Sequence, residues 1–265
     1  MEVESNEKTE KTYTKPKNIW EDFFKDKTEK TYTKPKNIWE DFFKDKTHGG
    51  HRYSSEEFLA MEAREKLFHL DGGSTLLDFG CGAAELLTYY AQKYEQLVGA
   101  DFSQSMLEEA GKRIERNKCQ NIDLILANHE TLWENLDTSF DRITAAGVIQ
   151  YLTYQEVDTF IANSSEHLNI DGKIVFFDIL DPRLYPLWKL GIFAPNAGVL
   201  KALYRIGCDF RDSVLATLGN HPRNIYGYSH NPYEIQKIAN KYDFEMRYVQ
   251  SMYYEYKYHA IMSRT

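Results

Sequence analysis

Between residues 75 and 180, short runs of uninterrupted apolar positions alternate with longer stretches in which apolar residues recur every three or four places. The runs TLLDFG (75–80), QLVGADF (96–102), IDLILAN (122–128), DRITAAGVI (141–149) and GKIVFFDIL (172–180) have the length and composition of buried strands. The stretches 83–93, 104–118 and 154–168 between them have helical spacing. This alternation predicts βαβ units, an α/β doubly wound and mostly parallel sheet with helices on both faces. Upstream, the pattern over 56–70 predicts a helix whose apolar face is Phe58, Met61, Ala63, Leu67 and Phe68, ended by Asp71, Gly72 and Gly73. After Leu180 the rhythm stops for about fifty residues and resumes as a helix from Pro232 and two strand-like runs, 244–252 and 256–264. A tight turn between those runs predicts an antiparallel hairpin closing one edge of the sheet.

Composition narrows the class without changing the fold. The chain of 265 residues is 42% hydrophobic and 27% charged, which excludes a wholly disordered, collagen-like or coiled-coil protein. Thirty-two Lys and Arg against forty Asp and Glu give a net charge of −8, disfavouring a nucleic-acid partner. Cys81, Cys119 and Cys208 are too scattered for a disulfide framework or a zinc site, so no metal is expected and a reducing compartment fits. The N-terminal residues have no signal-peptide character, and the most apolar window, 187–200, is interrupted by Lys189, Pro195 and Asn196. The expectation is a cytoplasmic protein with no membrane partner.

The first fifty residues stand apart, because 8–27 recur residue for residue as 27–46. Each copy carries an apolar stripe, Ile19, Trp20, Phe23 and Phe24 and then Ile38, Trp39, Phe42 and Phe43, after a proline that suits a helix start. Two copies are too few for a solenoid. The division is therefore a duplicated arm, 1–50, and a domain, 51–265, whose segment 181–230 is a helical insertion after the fifth strand. The arm holds equal numbers of acidic and basic residues, so the whole net charge belongs to the domain.

In an open α/β sheet, ligands sit at the carboxyl ends of the strands. The first such end reads Asp78-Phe79-Gly80-Cys81-Gly82-Ala83-Ala84-Glu85. Gly80 and Gly82 allow a tight turn that backbone and ligand can share. A dinucleotide fingerprint would need glycine where Glu85 stands, and a carboxylate there opposes a pyrophosphate. Asp101, at the end of the second run, is placed to accept hydrogen bonds from ribose hydroxyls. Asn128 and His129 follow the third.

Taken together, LLDFGCGAAE, VGADFS, LILANHETL and FDRITAAGVIQYL, in this order, resemble class I S-adenosylmethionine-dependent methyltransferases over roughly 52–180 and 231–264. The resemblance implies a Rossmann-like, seven-stranded sheet with an antiparallel last strand. It also implies S-adenosylmethionine as cofactor and S-adenosylhomocysteine as product. It assigns Asp78, Gly80 and Gly82 to the methionine part, Asp101 and Phe102 to the nucleoside, and Asn128 and His129 to the adenine. Gly147, Val148 and Gln150 would floor the pocket near the sulfonium. Ala84 departs from the third glycine of many members, and an N-terminal lid would draw on Trp39, Phe43, Arg52 or Tyr53.

The acceptor is expected to be a small molecule. Neither the Asp/Asn-Pro-Pro-aromatic element of amino methyltransferases nor a Pro-Cys pair follows the fourth strand. Asn231-Pro232-Tyr233 reads as a helix start. Segment 181–230 carries six Lys or Arg against three Asp, which points to an anionic acceptor, a glycan, nucleotide-linked or secondary-metabolite intermediate methylated on oxygen or nitrogen. His230 is the candidate base, with Tyr226 and Tyr228 as positioners and His221 a second histidine to weigh. The alternative is a regulatory or scaffold protein that binds the same cofactor without turnover.

Overall fold

The computed structural model describes residues 54–192, 203–204, 207 and 227–265. The duplicated arm, Tyr53, His221, Tyr226 and most of 181–230 lie outside the described residues.

The chain enters through helix α1 (Glu56–His69), which Ser55 caps by accepting the Phe58 amide. Strand β1 (Thr75–Phe79) follows, then a turn and the short helix α2 (Leu87–Tyr90). Next come β2 (Gln96–Asp101), α3 (Gln104–Arg116), β3 (Ile122–Leu126), β4 (Phe140–Ala146), α4 (Tyr154–Glu166) and β5 (Leu168–Leu180). After α5 (Tyr185–Lys189), the chain is described again before α6 (Pro232–Lys241), β6 (Phe244–Gln250) and β7 (Lys257–Arg264). The strand order is β3-β2-β1-β4-β5-β7-β6, with β7 antiparallel to both neighbours and the first five strands parallel. This is the expected Rossmann-like seven-stranded sheet with an antiparallel last strand.

The apolar runs form the central strands because both faces of the sheet are covered. On one face Leu77, Phe79, Val98, Ile143 and Phe176 pack against Phe160 of α4 and Ile235 of α6. On the other, Leu76, Leu97, Val175 and Phe177 meet Leu59 and Ala63 of α1, Leu87 of α2 and Leu107 of α3. Thr153 and Glu156 close a capping box on α4, and Asn231 caps α6 with Pro232 in its first turn, the helix start read from the sequence. Among the described residues no helix is long and apolar enough to cross a membrane.

Two expectations change. The helix expected over 83–93 contracts to Leu87–Tyr90, because Ala84 adopts a left-handed backbone with φ 60° that no α-helix contains. Helix α1 turns a different face inward: Met61 is 48% and Phe68 75% exposed, while Glu62, Glu65, Lys66 and His69 are buried beside Leu59 and Ala63. Its polar stripe meets partners from β5 and β7, and that pairing outweighs the exposure of two apolar side chains.

Candidate active site

The carboxyl ends of β1, β2, β3 and β4 converge around the turn 80–84. Gly80 has φ 76° and Gly82 φ 56°, and the amides of Gly80 and Cys81 both donate to Ala100 O at 2.7 and 3.0 Å. A side chain at Gly80 would collide with Val148, so this glycine brings the β1 turn against the loop after β4. At Gly82 the nearest atom to an added Cβ is Glu85 Oε2, 3.6 Å away, and at Gly147, φ 66°, an added Cβ meets nothing within 4 Å. The floor formed by Gly82 and Gly147 is therefore open to a ligand.

Three buried carboxylates surround this turn: Asp78, Asp101 and Glu85, exposed by 4, 7 and 5%. Asp101 accepts the Gly82 amide on one oxygen at 3.0 Å and the Ser103 amide on the other at 2.9 Å. Burial raises its pKa, and the two amides oppose that rise. Each oxygen keeps a lone pair, so ribose hydroxyls can share them. Asp78 is different. Its Oδ1 is buried without a partner, and burial followed by the Asp101 charge pushes its pKa to about 7, against the pull of Lys66. A buried, unpartnered carboxylate oxygen is a vacancy in hydrogen bonding that a cationic donor satisfies.

Phe102, 36% exposed, follows Asp101 at the rim. Asn128 is exposed, and its side-chain oxygen accepts the amides of Glu130 and Thr131, both at 2.9 Å. That leaves only its NH2 group to meet an adenine edge. His129 accepts Trp133 Nε1 on its backbone oxygen, and its ring lies 3.5 Å from Glu156 Oε1. Gln150 O accepts the Tyr228 amide, and the tight approach of Gly227 to Gln150 admits no side chain there.

His230 is fully buried between the ends of β4 and β5. Its amide donates to Leu180 O, Tyr258 hydroxyl donates to its carbonyl, and its ring Nε2 lies 3.0 Å from Ile149 O. A carbonyl only accepts, so Nε2 carries the proton and the unpartnered Nδ1 keeps the lone pair. Burial lowers its pKa and holds the ring neutral, with the carbonyl bonds opposing. Tyr228 is 54% exposed beside it. The strand ends thus gather Asp78, Gly80, Gly82, Asp101, Phe102, Asn128, His129, Gly147, Val148, Gln150, Tyr228 and His230 on one edge of the sheet.

The comparisons with known proteins agree with this geometry. Residues 76–172 match the family model described as "Methyltransferase domain". Over that stretch the chain is similar to methyltransferase domains, and the sheet order β3-β2-β1-β4-β5-β7-β6 is the Rossmann-like one. It is 32% identical over 125 residues to the "Probable (S)-tetrahydroprotoberberine N-methyltransferase 2" of Papaver bracteatum, covering 45% of this chain and 34% of that one. It is 26% identical over 119 residues to cyclopropane mycolic acid synthase 1 of Mycobacterium tuberculosis, covering 42% and 38%. The chain thus spans about a third of the length of these curated relatives. A solved magnesium protoporphyrin IX methyltransferase from Synechocystis PCC 6803, with bound S-adenosylhomocysteine, shares the fold. It superposes with a TM-score of 0.53 at 14% identity, over 79% of this chain and 83% of that one.

Sequence reasoning missed a buried polar cluster behind the turn. Lys66 of α1 bonds Glu62 at 2.7 Å and Asp178 of β5 at 2.8 Å, all three being at most 5% exposed. The only signal in the chain was Glu62 four residues before Lys66, a spacing that usually marks a solvent-facing pair.

Proposed function

We propose that the protein transfers the methyl group of S-adenosylmethionine to an oxygen or nitrogen of a small metabolite. The observation that carries the reading is the set of three buried carboxylates, Asp78, Asp101 and Glu85, around an open glycine turn. A pyrophosphate would be repelled there, whereas an ammonium and a sulfonium find compensating charge. In this reading Asp78 takes the amino group of the methionine part and Asp101 the ribose. Phe102, Asn128 and His129 flank the adenine, while Gly147, Val148 and Gln150 form the floor. When bound, the cofactor supplies an electrophilic methyl group. The chain's own task is to hold the acceptor in line with it and to exclude water.

His230 is tied to the loop after β4 through Ile149 O, and in this reading its buried, unpartnered Nδ1 is the atom that would receive the acceptor's proton. Tyr228, with Tyr226 two residues before it, would position the acceptor. The basic excess of 181–230 supports an anionic acceptor, with one adjustment. Arg183 bonds both oxygens of Asp181, at 3.0 and 2.6 Å, so that pair offers no open cation. Lys189 lies over the Tyr185 ring at 4.4 Å, so Arg205, Arg211, Arg223 and Lys201 carry the argument.

Calorimetric titration with S-adenosylhomocysteine, with NAD for comparison, tests the cofactor part. One-site binding of the former alone is expected, and preference for NAD would overturn it. Labelled methyl donor with a panel of anionic, neutral and cationic acceptors tests the rest. Transfer confined to cationic acceptors would overturn the anionic assignment.

A further inference from the structure

The Lys66 cluster is built in a way that a simple surface pair is not. Lys66 is wholly buried on α1, pinned by Glu62 on its own helix and by Asp178 on β5. Asp178 has φ 58°, in the left-handed region, and stands at the irregularity that breaks the β5–β7 register between Phe176 and Ile179. Such a backbone is costly for a residue with a side chain and persists only when its surroundings hold it. They do so here. Ser251 Oγ donates to Asp178 Oδ1 at 3.0 Å, and the Asp178 amide donates to His259 Nδ1 at 3.1 Å. The His259 proton therefore sits on Nε2, which donates to Glu65 Oε1 at 3.1 Å. Glu65 also accepts the Met252 amide at 2.7 Å.

This cluster lies on the face of the sheet that Asp78 shares. Asp78 pairs with Thr144, and Ala146, two residues on, pairs with Phe177, so Asp78 and Phe177 point to the same side. The Lys66 ammonium stands 5.4 Å from the centre of the Phe177 ring and within electrostatic reach of Asp78. Tyr90 of α2, whose buried hydroxyl has no partner, feels the charges of Asp78, Glu62 and Asp178. The charged and titratable groups around this space are Glu62, Glu65, Lys66 and His69 on α1, Tyr90 on α2, Asp101 on β2, Asp178 on β5, and Lys257 and His259 on β7, with Cys81, Glu85 and Tyr254 in the adjoining turns. Among them Lys66 is the cation that acts on Asp78.

We propose that Lys66 is a positioning residue of the cofactor site. Anchored by Glu62 and Asp178, it supplies the buried positive charge that keeps the Asp78 carboxylate available to the cofactor's ammonium group. The proposal rests on the cofactor reading given above. The strained bulge at Asp178 then has a purpose: it aims a carboxylate inward so that a lysine can be held, charged, in the interior.

The test is binding of S-adenosylhomocysteine followed by calorimetry from pH 6 to 9, for wild type, K66R and the double variant K66Q/D178N. The double variant removes the cation and its partner on β5 together, leaving Glu62 as the one buried carboxylate of the trio to be neutralised by a proton, and asparagine tolerates the left-handed backbone at 178. Wild-type affinity should rise with pH as Asp78 ionises. In K66Q/D178N that rise should move upward by about half a pH unit or more, with severalfold weaker binding at pH 7 and recovery by pH 9. K66R should follow wild type. Should the double variant fail to melt cooperatively, K66M/D178G gives the same readout, glycine being equally at ease with that backbone. Superimposable profiles, or a loss equal at every pH, would overturn the role of Lys66 while leaving the cofactor reading standing. No binding by wild type at any pH would overturn both.

Discussion

Ala84 is fully buried at φ 60°, a conformation that costs a residue with a Cβ roughly 1–2 kcal/mol. The turn holds it there through its amide, which donates to Cys81 O, and its carbonyl, which accepts the Thr88 amide. A84G should therefore stabilise the protein by about 1 kcal/mol. That would raise the melting temperature by roughly 2–4 °C. A lower melting temperature would show that the methyl group's packing outweighs the strain. Asp78 offers the opposite exchange. D78N keeps the shape of the side chain and removes a charge that burial disfavours. At pH 8 it should melt higher than wild type without ligand, while its affinity for S-adenosylhomocysteine falls by tenfold or more, about 1.4 kcal/mol. Equal affinity would take Asp78 out of the cofactor site. His230 is tested by H230Q, whose amide can still donate to Ile149 O. Transfer should fall roughly hundredfold or more while cofactor affinity holds, and unchanged transfer would remove His230 as base.

The strands and helix caps were legible because each depends on residues adjacent in the chain. Continuous apolar runs gave the central strands, and Asn231-Pro232 gave the start of α6. Thr153 and Glu156, which reach each other's backbone amides at 3.3 and 2.6 Å, were equally local. T153A should cost about 1 kcal/mol, read as a shift in the denaturant midpoint without a change in slope. The inward face of α1 was not legible. Spacing alone favours burying Met61 and Phe68. The choice is made instead by Asp178 and His259, which the fold brings to Lys66 and Glu65 from strands more than a hundred residues away, and by Ser251, which holds Asp178. The strand-end carboxylates at 78 and 101 could be read because chain order fixes them there. The commitment of Asn128 Oδ1 to its own loop, and the tautomer of His230, depend on neighbours that only the folded chain supplies.

Across the described residues, carboxylates oppose one another in their response to pH. Asp178 is subject to burial, but Lys66 and Lys257 prevail and hold it far below the usual carboxylate range. Asp141, despite burial, is brought to about 2 by the amides of Ser74 and Thr75 and the side chain of Asn169. Both bind fewer protons folded than unfolded, so their contribution is present above roughly pH 4 and is lost as pH falls toward 2. Asp78 has the reverse sign. Its folded value near 7 exceeds the unfolded one, so the ligand-free protein binds the extra proton and loses stability as pH rises from about 4 to about 7. Stability without ligand should therefore peak on the acid side of neutrality. A ligand whose ammonium pairs with ionised Asp78 cancels that loss and adds its own binding free energy. The rise in melting temperature caused by a fixed concentration of S-adenosylhomocysteine should accordingly grow between pH 6 and pH 8 in wild type and stay flat in D78N. The same rise at every pH in wild type would mean that the ammonium is held by some group other than Asp78, and the charge argument for the site would have to be rebuilt around Asp101 and Glu85.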